Sequence, residues 1–140
     1  MQVCYQNEYA LIEFDEDSSI LMLTWNKFVK GDKFRDTITK FYDLTVEKKV
    51  QSWCFDSRKQ RVVAPDDQKW TVDEMVQREL HLKSIKTAII MPDSLFMELS
   101  VEKISDSIEK QTDNTSEADD NRTRQFQDKD PALAWLRSDV

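Results

Sequence analysis

Val50-Gln51-Ser52-Trp53-Cys54-Phe55 is the stretch that decides the fold class. Successive side chains of a strand point to opposite sheet faces. Apart from Gln51 and Ser52, this run is apolar on both parities, so both of its faces must be covered. Ile85-Lys86-Thr87-Ala88-Ile89-Ile90-Met91 is a second, clearer buried strand, and Pro92 ends it. Strands covered on both faces call for helices above and below the sheet, as in an α/β sandwich.

The segments around these two strands supply the helices. Upstream, Phe34, Ile38, Phe41, Tyr42 and Val46 recur at helical spacing, with charged residues mostly on the other faces. Before that helix, Tyr9-Ala10-Leu11-Ile12-Glu13-Phe14 and Ile20-Leu21-Met22-Leu23-Thr24-Trp25 flank a short acidic turn and read as an antiparallel hairpin. Between the two buried strands, a polar stretch over 56–68 precedes a second helix. Thr71-Val72-Asp73-Glu74 fits a capping box there, with Trp70 and Met75 as its staple, although Asp66 or Asp67 could cap one turn earlier.

Downstream of Pro92, Asp93 or Ser94 can cap a helix carrying Met97, Val101, Ile104 and Ile108. Residues 111–124 contain one apolar side chain, Ala118, and are expected to form a charged flexible loop. Gln125-Phe126-Gln127 reads as a short edge strand. Asp130-Pro131 then opens a last helix whose Ala132, Leu133, Trp135 and Leu136 dock on the body. The expected order is β-β-α-β-α-β-α, a loop, then β-α: one α/β domain over 1–140, its sheet largely parallel with right-handed crossovers.

Composition excludes several classes of function. The chain has 140 residues, 39% of them hydrophobic, enough to bury about 70% of the unfolded surface in one domain. Its formal charge of −7 argues against a general nucleic-acid binder, which needs a basic footprint. One glycine, Gly31, cannot build a glycine-rich phosphate cradle. One histidine, His81, and two scattered cysteines offer neither a zinc cluster nor the usual nucleophilic triad, so no cofactor or metal is expected. No apolar run reaches the ~20 residues of a membrane span, and Met1 to Glu13 lacks the pattern of a secretory signal. A cytoplasmic protein with free thiols is expected, Cys54 acting as a small buried hydrophobe. The sequons at Asn114 and Asn121 are then chance matches.

Several landmarks, taken together, resemble a known family. They are Trp25, Phe28, Phe34 and Arg35; Asp56-Ser57-Arg58; Val63-Ala64-Pro65-Asp66-Asp67-Gln68-Lys69-Trp70; Ile89-Ile90-Met91-Pro92; Phe96 and Leu99-Ser100-Val101-Glu102; and Phe126-Gln127-Asp128 with Ala134-Trp135-Leu136. Their order and spacing resemble the bacterial SpoIIAA-like (STAS-like) domains over nearly the whole chain apart from 111–124. That resemblance implies a four- or five-stranded sheet with helices packed on it, related to anti-sigma factor antagonists and more remotely to CRAL-TRIO lipid-binding domains. It implies no enzyme activity. In the phospho-regulated antagonists, a serine after an aspartate near a strand end is phosphorylated, and Asp56-Ser57 stands in that place. Arg58 and Lys59 follow where those proteins carry a small residue and glycine.

Ligands of open α/β sheets sit beyond the carboxyl ends of the strands. The expected site therefore gathers Trp25 and Asn26, then Asp56, Ser57 and Arg58 with Lys59 and Arg61, then Asp93. One reading is a crevice with an aromatic wall and an Asp/Arg pair for an anionic ligand or a partner's carboxylates, with Ser57 open to phosphorylation. The other pairs Asp56 with Arg58 and buries Trp25 in the core. The functional expectation is a non-enzymatic STAS-like binding or regulatory domain with an unidentified protein partner. The alternative is a carrier of a small apolar or amphipathic ligand. A homodimer through a strand edge or helix face is compatible with the sequence, though no heptad seam specifies one.

Overall fold

The computed structural model describes residues 1–80, 84–92 and 122–138. Six strands form one sheet in the order β1-β2-β3-β4-β5-β6: β1 (Gln2–Gln6), β2 (Ala10–Asp15), β3 (Ile20–Trp25), β4 (Ser52–Asp56), β5 (Lys86–Ile90) and β6 (Thr123–Phe126). Helices α1 (Asp32–Glu47), α2 (Pro65–Gln77) and α3 (Lys129–Arg137) pack against it. The α/β class is as expected. The sheet, however, is mixed and has six strands: β1, β2 and β3 pair antiparallel, whereas β3 to β6 run parallel.

The additional strand is β1, which is too short and exposed to show a hydrophobic period. Its signal is the turn that follows it. The Asn7 side chain accepts from the backbone N–H groups of Tyr9 (3.0 Å) and Ala10 (2.9 Å), closing an Asx turn that folds β1 back on β2. The register slips between Val3 and Tyr5, so Cys4 forms a bulge in this edge strand.

The two buried runs separate by parity as a doubly covered strand requires. Leu21, Leu23, Trp25 and Trp53 join α1 and α2 in one core cluster. Ile20, Met22, Cys54, Ala88 and Ile90 join Ala132, Leu133 and Leu136 of α3 in the other. Polar atoms in the first layer are paired: the Trp53 indole N–H donates to Thr45 Oγ1 (3.0 Å), which donates in turn to the Phe41 carbonyl (2.8 Å). Val46, expected on the buried face of α1, is 58% exposed, and Leu44 and Thr45 are buried in its place.

Both long helices end in the same way, with a residue at positive φ just past the cap. Val50 N–H donates to the Thr45 carbonyl and Lys49 N–H to that of Val46. Leu80 and Glu79 repeat this with Met75 and Val76. These are Schellman motifs, and glycine is the usual residue at the left-handed position. Here Lys49 (φ 52°) and Glu79 (φ 57°) occupy it.

Helix starts differ from the expected ones. Pro65 opens α2, so Thr71 lies inside the helix, and its hydroxyl donates to the Asp67 carbonyl (2.7 Å) rather than closing a capping box. Helix α3 begins at Lys129, which places Pro131 third in its first turn, where no intrahelical N–H bond is lost. The chain is already paired as a strand at Thr123 and Arg124, so the polar segment ends before the expected 124. Residues 111–121, Asp93, Ser94, His81 and the helix expected around Met97, Val101, Ile104 and Ile108 lie outside the described residues.

Candidate functional site

The carboxyl ends of β3 and β4 lie side by side, since Thr24 pairs with Asp56 in parallel register. Parity then divides the expected site. Trp25 points with Leu23 into the layer under α1 and α2, where it is buried and stacked on Phe34 at 5.3 Å. Asp56 shares the parity of Cys54 and faces the α3 side. The two residues therefore do not line one crevice.

Asp56 and Arg58 pair with each other. Arg58 Nε donates to Oδ1 (3.0 Å) and Nη2 to Oδ2 (2.7 Å), a bidentate fork joined by the Arg58 backbone N–H at 3.3 Å. The hydrogen bonds that Arg58 donates to the Asp56 carboxylate raise its pKa, with the charges of Asp56 and Asp128 adding to the effect. The carboxylate is thus occupied. Ser57, expected at the surface, is 3% exposed: its N–H donates to the Ile90 carbonyl (2.9 Å) and its carbonyl accepts from Arg61 N–H (3.2 Å). Asn26 is exposed, its backbone N–H held by the Tyr9 carbonyl (2.9 Å). Asp93 lies outside the described residues.

What the edge does bring together is the pair of loops 26–31 and 57–64. The Gln60 side chain, 1% exposed, donates to the carbonyls of Val29 (2.8 Å) and Val62 (3.1 Å) and accepts from Val29 N–H (3.2 Å). One buried amide thus replaces the missing strand ladder between the loops. A second tie lies beside it. The Asp67 carboxylate, buried at the start of α2, accepts from Gly31 N–H (2.9 Å) and from Arg35 Nε (2.9 Å). Asp67 therefore serves the N-terminus of α1 as well as the dipole of its own helix. The Arg35 guanidinium also lies over the Trp70 ring at 5.6 Å.

On this braced edge, Phe28 is 43% exposed, and Asn26, Lys30, Arg58, Lys59 and Arg61 of the same two loops are exposed as well. The two loops hold five basic residues and no acidic one, in a chain whose net charge is −7. Lys27 bridges to Glu8 (3.6 Å) and Arg58 to Asp56, whereas Lys30, Lys59 and Arg61 form no ion pair with any described residue. The sequence signal was the repeated pairing of basic with apolar residues in Lys27-Phe28-Val29-Lys30 and Arg61-Val62-Val63. Nothing in the sequence pointed to Gln60, because a glutamine in a polar stretch carries no mark of burial.

The Cys54 thiol is buried in the sheet, and burial, reinforced by the nearby Asp56 charge, pushes its pKa up to about 12. That leaves it protonated and unreactive near neutrality. Among the described residues, no group of three or more His, Cys, Asp or Glu side chains could hold a metal ion, and no helix is long and apolar enough to cross a membrane. The strand order rises from β1 to β6 without reversal, and α1 and α2 lie on the same face. The crevice that opens where strand order reverses in a doubly wound sheet is therefore not formed between them. No protein-family model matches the chain, and neither does any curated protein or solved structure.

Proposed function

We propose that this chain is a STAS-like binding or regulatory domain, and that the carboxyl edge of β3 and β4 is its contact surface for a protein partner. The carrying observation is the Val29–Gln60 tie, which braces the two loops beside an exposed aromatic residue, Phe28. Aromatic anchors held in place before binding lose little entropy on association, which suits them to recognition. Ser57 phosphorylation has no part in this reading, because a kinase needs the hydroxyl at the surface. A carrier role draws no support from the edge, whose exposed groups are mostly charged.

Native mass spectrometry of the protein purified from its own host, followed by hydrogen exchange on the complex, tests the reading. The expected result is a co-purified protein that slows exchange in loops 26–31 and 57–64. A retained small molecule in place of a protein, or a footprint confined to another part of the chain, would overturn it.

A further inference from the structure

Lys30, Lys59 and Arg61 are exposed on two loops that are tied to each other. Val29 and Gln60 are buried and bonded to each other, and their chain neighbours are exposed: Phe28 and Lys30 in one loop, Lys59 and Arg61 in the other. Three exposed cations with no ion-pair partner among the described residues thus lie on the same two tied loops as the exposed Phe28. Three of the neighbouring acids are already engaged. Asp56 is engaged by Arg58, Glu8 by Lys27, and Asp67 by Arg35 and Gly31. The exposed Asp32 and Asp66 rim the platform on the helix side.

We infer that this platform takes an acidic protein segment carrying an apolar or aromatic side chain, the carboxylates meeting Lys30, Lys59 and Arg61 and the apolar group packing on Phe28. This rests on the binding-domain reading and specifies its partner. Charge complementarity selects the class. A nucleic acid or an anionic bilayer presents a long run of negative charge to the whole molecule, and a chain of −7 repels it outside this patch. A short acidic segment fits within the patch. At about 0.1 M salt the screening length is about 10 Å, so such a segment responds mainly to the local cations and little to the distant net charge.

The test uses the full chain at 0.1 M salt with four probes. These are a fluorescein-labelled peptide of alternating Glu and Leu with one central Phe, the same peptide with Lys for Glu, a DNA duplex, and phosphatidylserine vesicles. The acidic peptide is expected to bind, with affinity falling as salt rises, and the lysine peptide is not. The triple variant K30E/K59E/R61E should lose tenfold or more in affinity. Phe28→Ser should weaken binding about fivefold and leave the salt dependence unchanged. All four positions are exposed, so unchanged melting temperatures show that the fold is intact.

Binding of the acidic peptide that is absent, or equal in the parent and the triple variant, overturns the inference. So does a preference for the duplex or the vesicles. The binding-domain reading fails separately: if the host protein complex survives the triple variant, only the acidic-segment assignment is lost, whereas the absence of any protein partner removes the reading beneath it.

Discussion

At the residue scale, the single glycine is placed by backbone conformation rather than by space. Gly31 caps α1 at φ 66° and ψ −137°, and a Cβ built on it would meet nothing within 4 Å. Substitution is therefore resisted by the left-handed conformation alone. Gly31→Ala should cost about 1–2 kcal/mol in urea unfolding, with an unchanged denaturant slope. A loss above about 4 kcal/mol would point to a steric role that the geometry does not contain. The two cysteines give a second check. Cys54 is buried with its thiol pKa raised, while Cys4 is half-buried in the edge strand. A maleimide at pH 8 should label one thiol in the folded protein and two in denaturant, and peptide mapping should place the folded-state label on Cys4. Rapid labelling of Cys54 would mean that the sheet opens readily at β4. Trp135, expected to dock on the body, is half-buried, with Lys86 Nζ at 4.5 Å and the Arg124 guanidinium at 5.3 Å from its ring centre.

At the element scale, the scarcity of glycine carries an energetic consequence. Lys49 and Glu79 each hold positive φ at a helix terminus whose hydrogen-bond pattern favours glycine. Lys49→Gly and Glu79→Gly should each stabilise the fold by up to about 1 kcal/mol, the gain reduced by the greater freedom of glycine in the unfolded chain. Thermal melts of the two single variants and the double variant check this. The sites are on different helices, so their effects should add within about 0.5 kcal/mol. A melting temperature that falls in both would show that the lysine and glutamate side chains contribute more than their backbone strain removes. The helix starts teach the opposite lesson. Thr71-Val72-Asp73-Glu74 has the composition of a capping box, yet α2 begins at Pro65, whose fixed φ suits the first helical position. The capping-box pattern therefore lies inside a helix that has already begun.

At the scale of the whole molecule, α3 is tied to the sheet at its carboxyl end, to β5 and to the β2–β3 hairpin. Lys86, buried on β5, donates from Nζ to the Trp135 carbonyl (2.6 Å) and to the carbonyl and hydroxyl of Ser138 (3.2 Å each). A cation there also suits the carbonyl end of the helix dipole. Arg137 then reaches the β2–β3 hairpin, donating to the Asp15 carboxylate at 2.8 Å. That hydrogen bond holds the Asp15 carboxyl below its ordinary pKa, against burial, which pushes the other way. A depressed folded-state pKa means that the unfolded chain binds the proton more readily. The contribution is therefore complete above the ordinary carboxylate range and is lost as pH falls below about 4. Arg137→Gln should remove this part of the acid sensitivity. Its melting temperature should lie slightly below the parent at pH 7 and converge on it at low pH. A constant gap across the range would show that the pair acts by packing rather than by charge.

The sequence by itself determined what each residue can do as a member of a local pattern. Runs apolar on both parities at Val50 to Phe55 and Ile85 to Met91 demanded a doubly covered sheet, and the periodic apolar face of α1 supplied part of the cover. These readings succeed because burial of a strand or a helix face is a demand that its own residues announce. Pairing across the chain announces nothing. That Trp25 and Asp56 face opposite sides of the sheet follows from the register of β3 against β4. That Gln60 holds Val29, and Asp67 holds Gly31, follows from where the parallel strands deliver their loops. The tertiary structure alone decided which polar residues are buried and satisfied and which are left at the surface. A hydrogen bond between residues thirty positions apart depends on geometry that the intervening core creates, and neither partner's neighbours in sequence carry a trace of it.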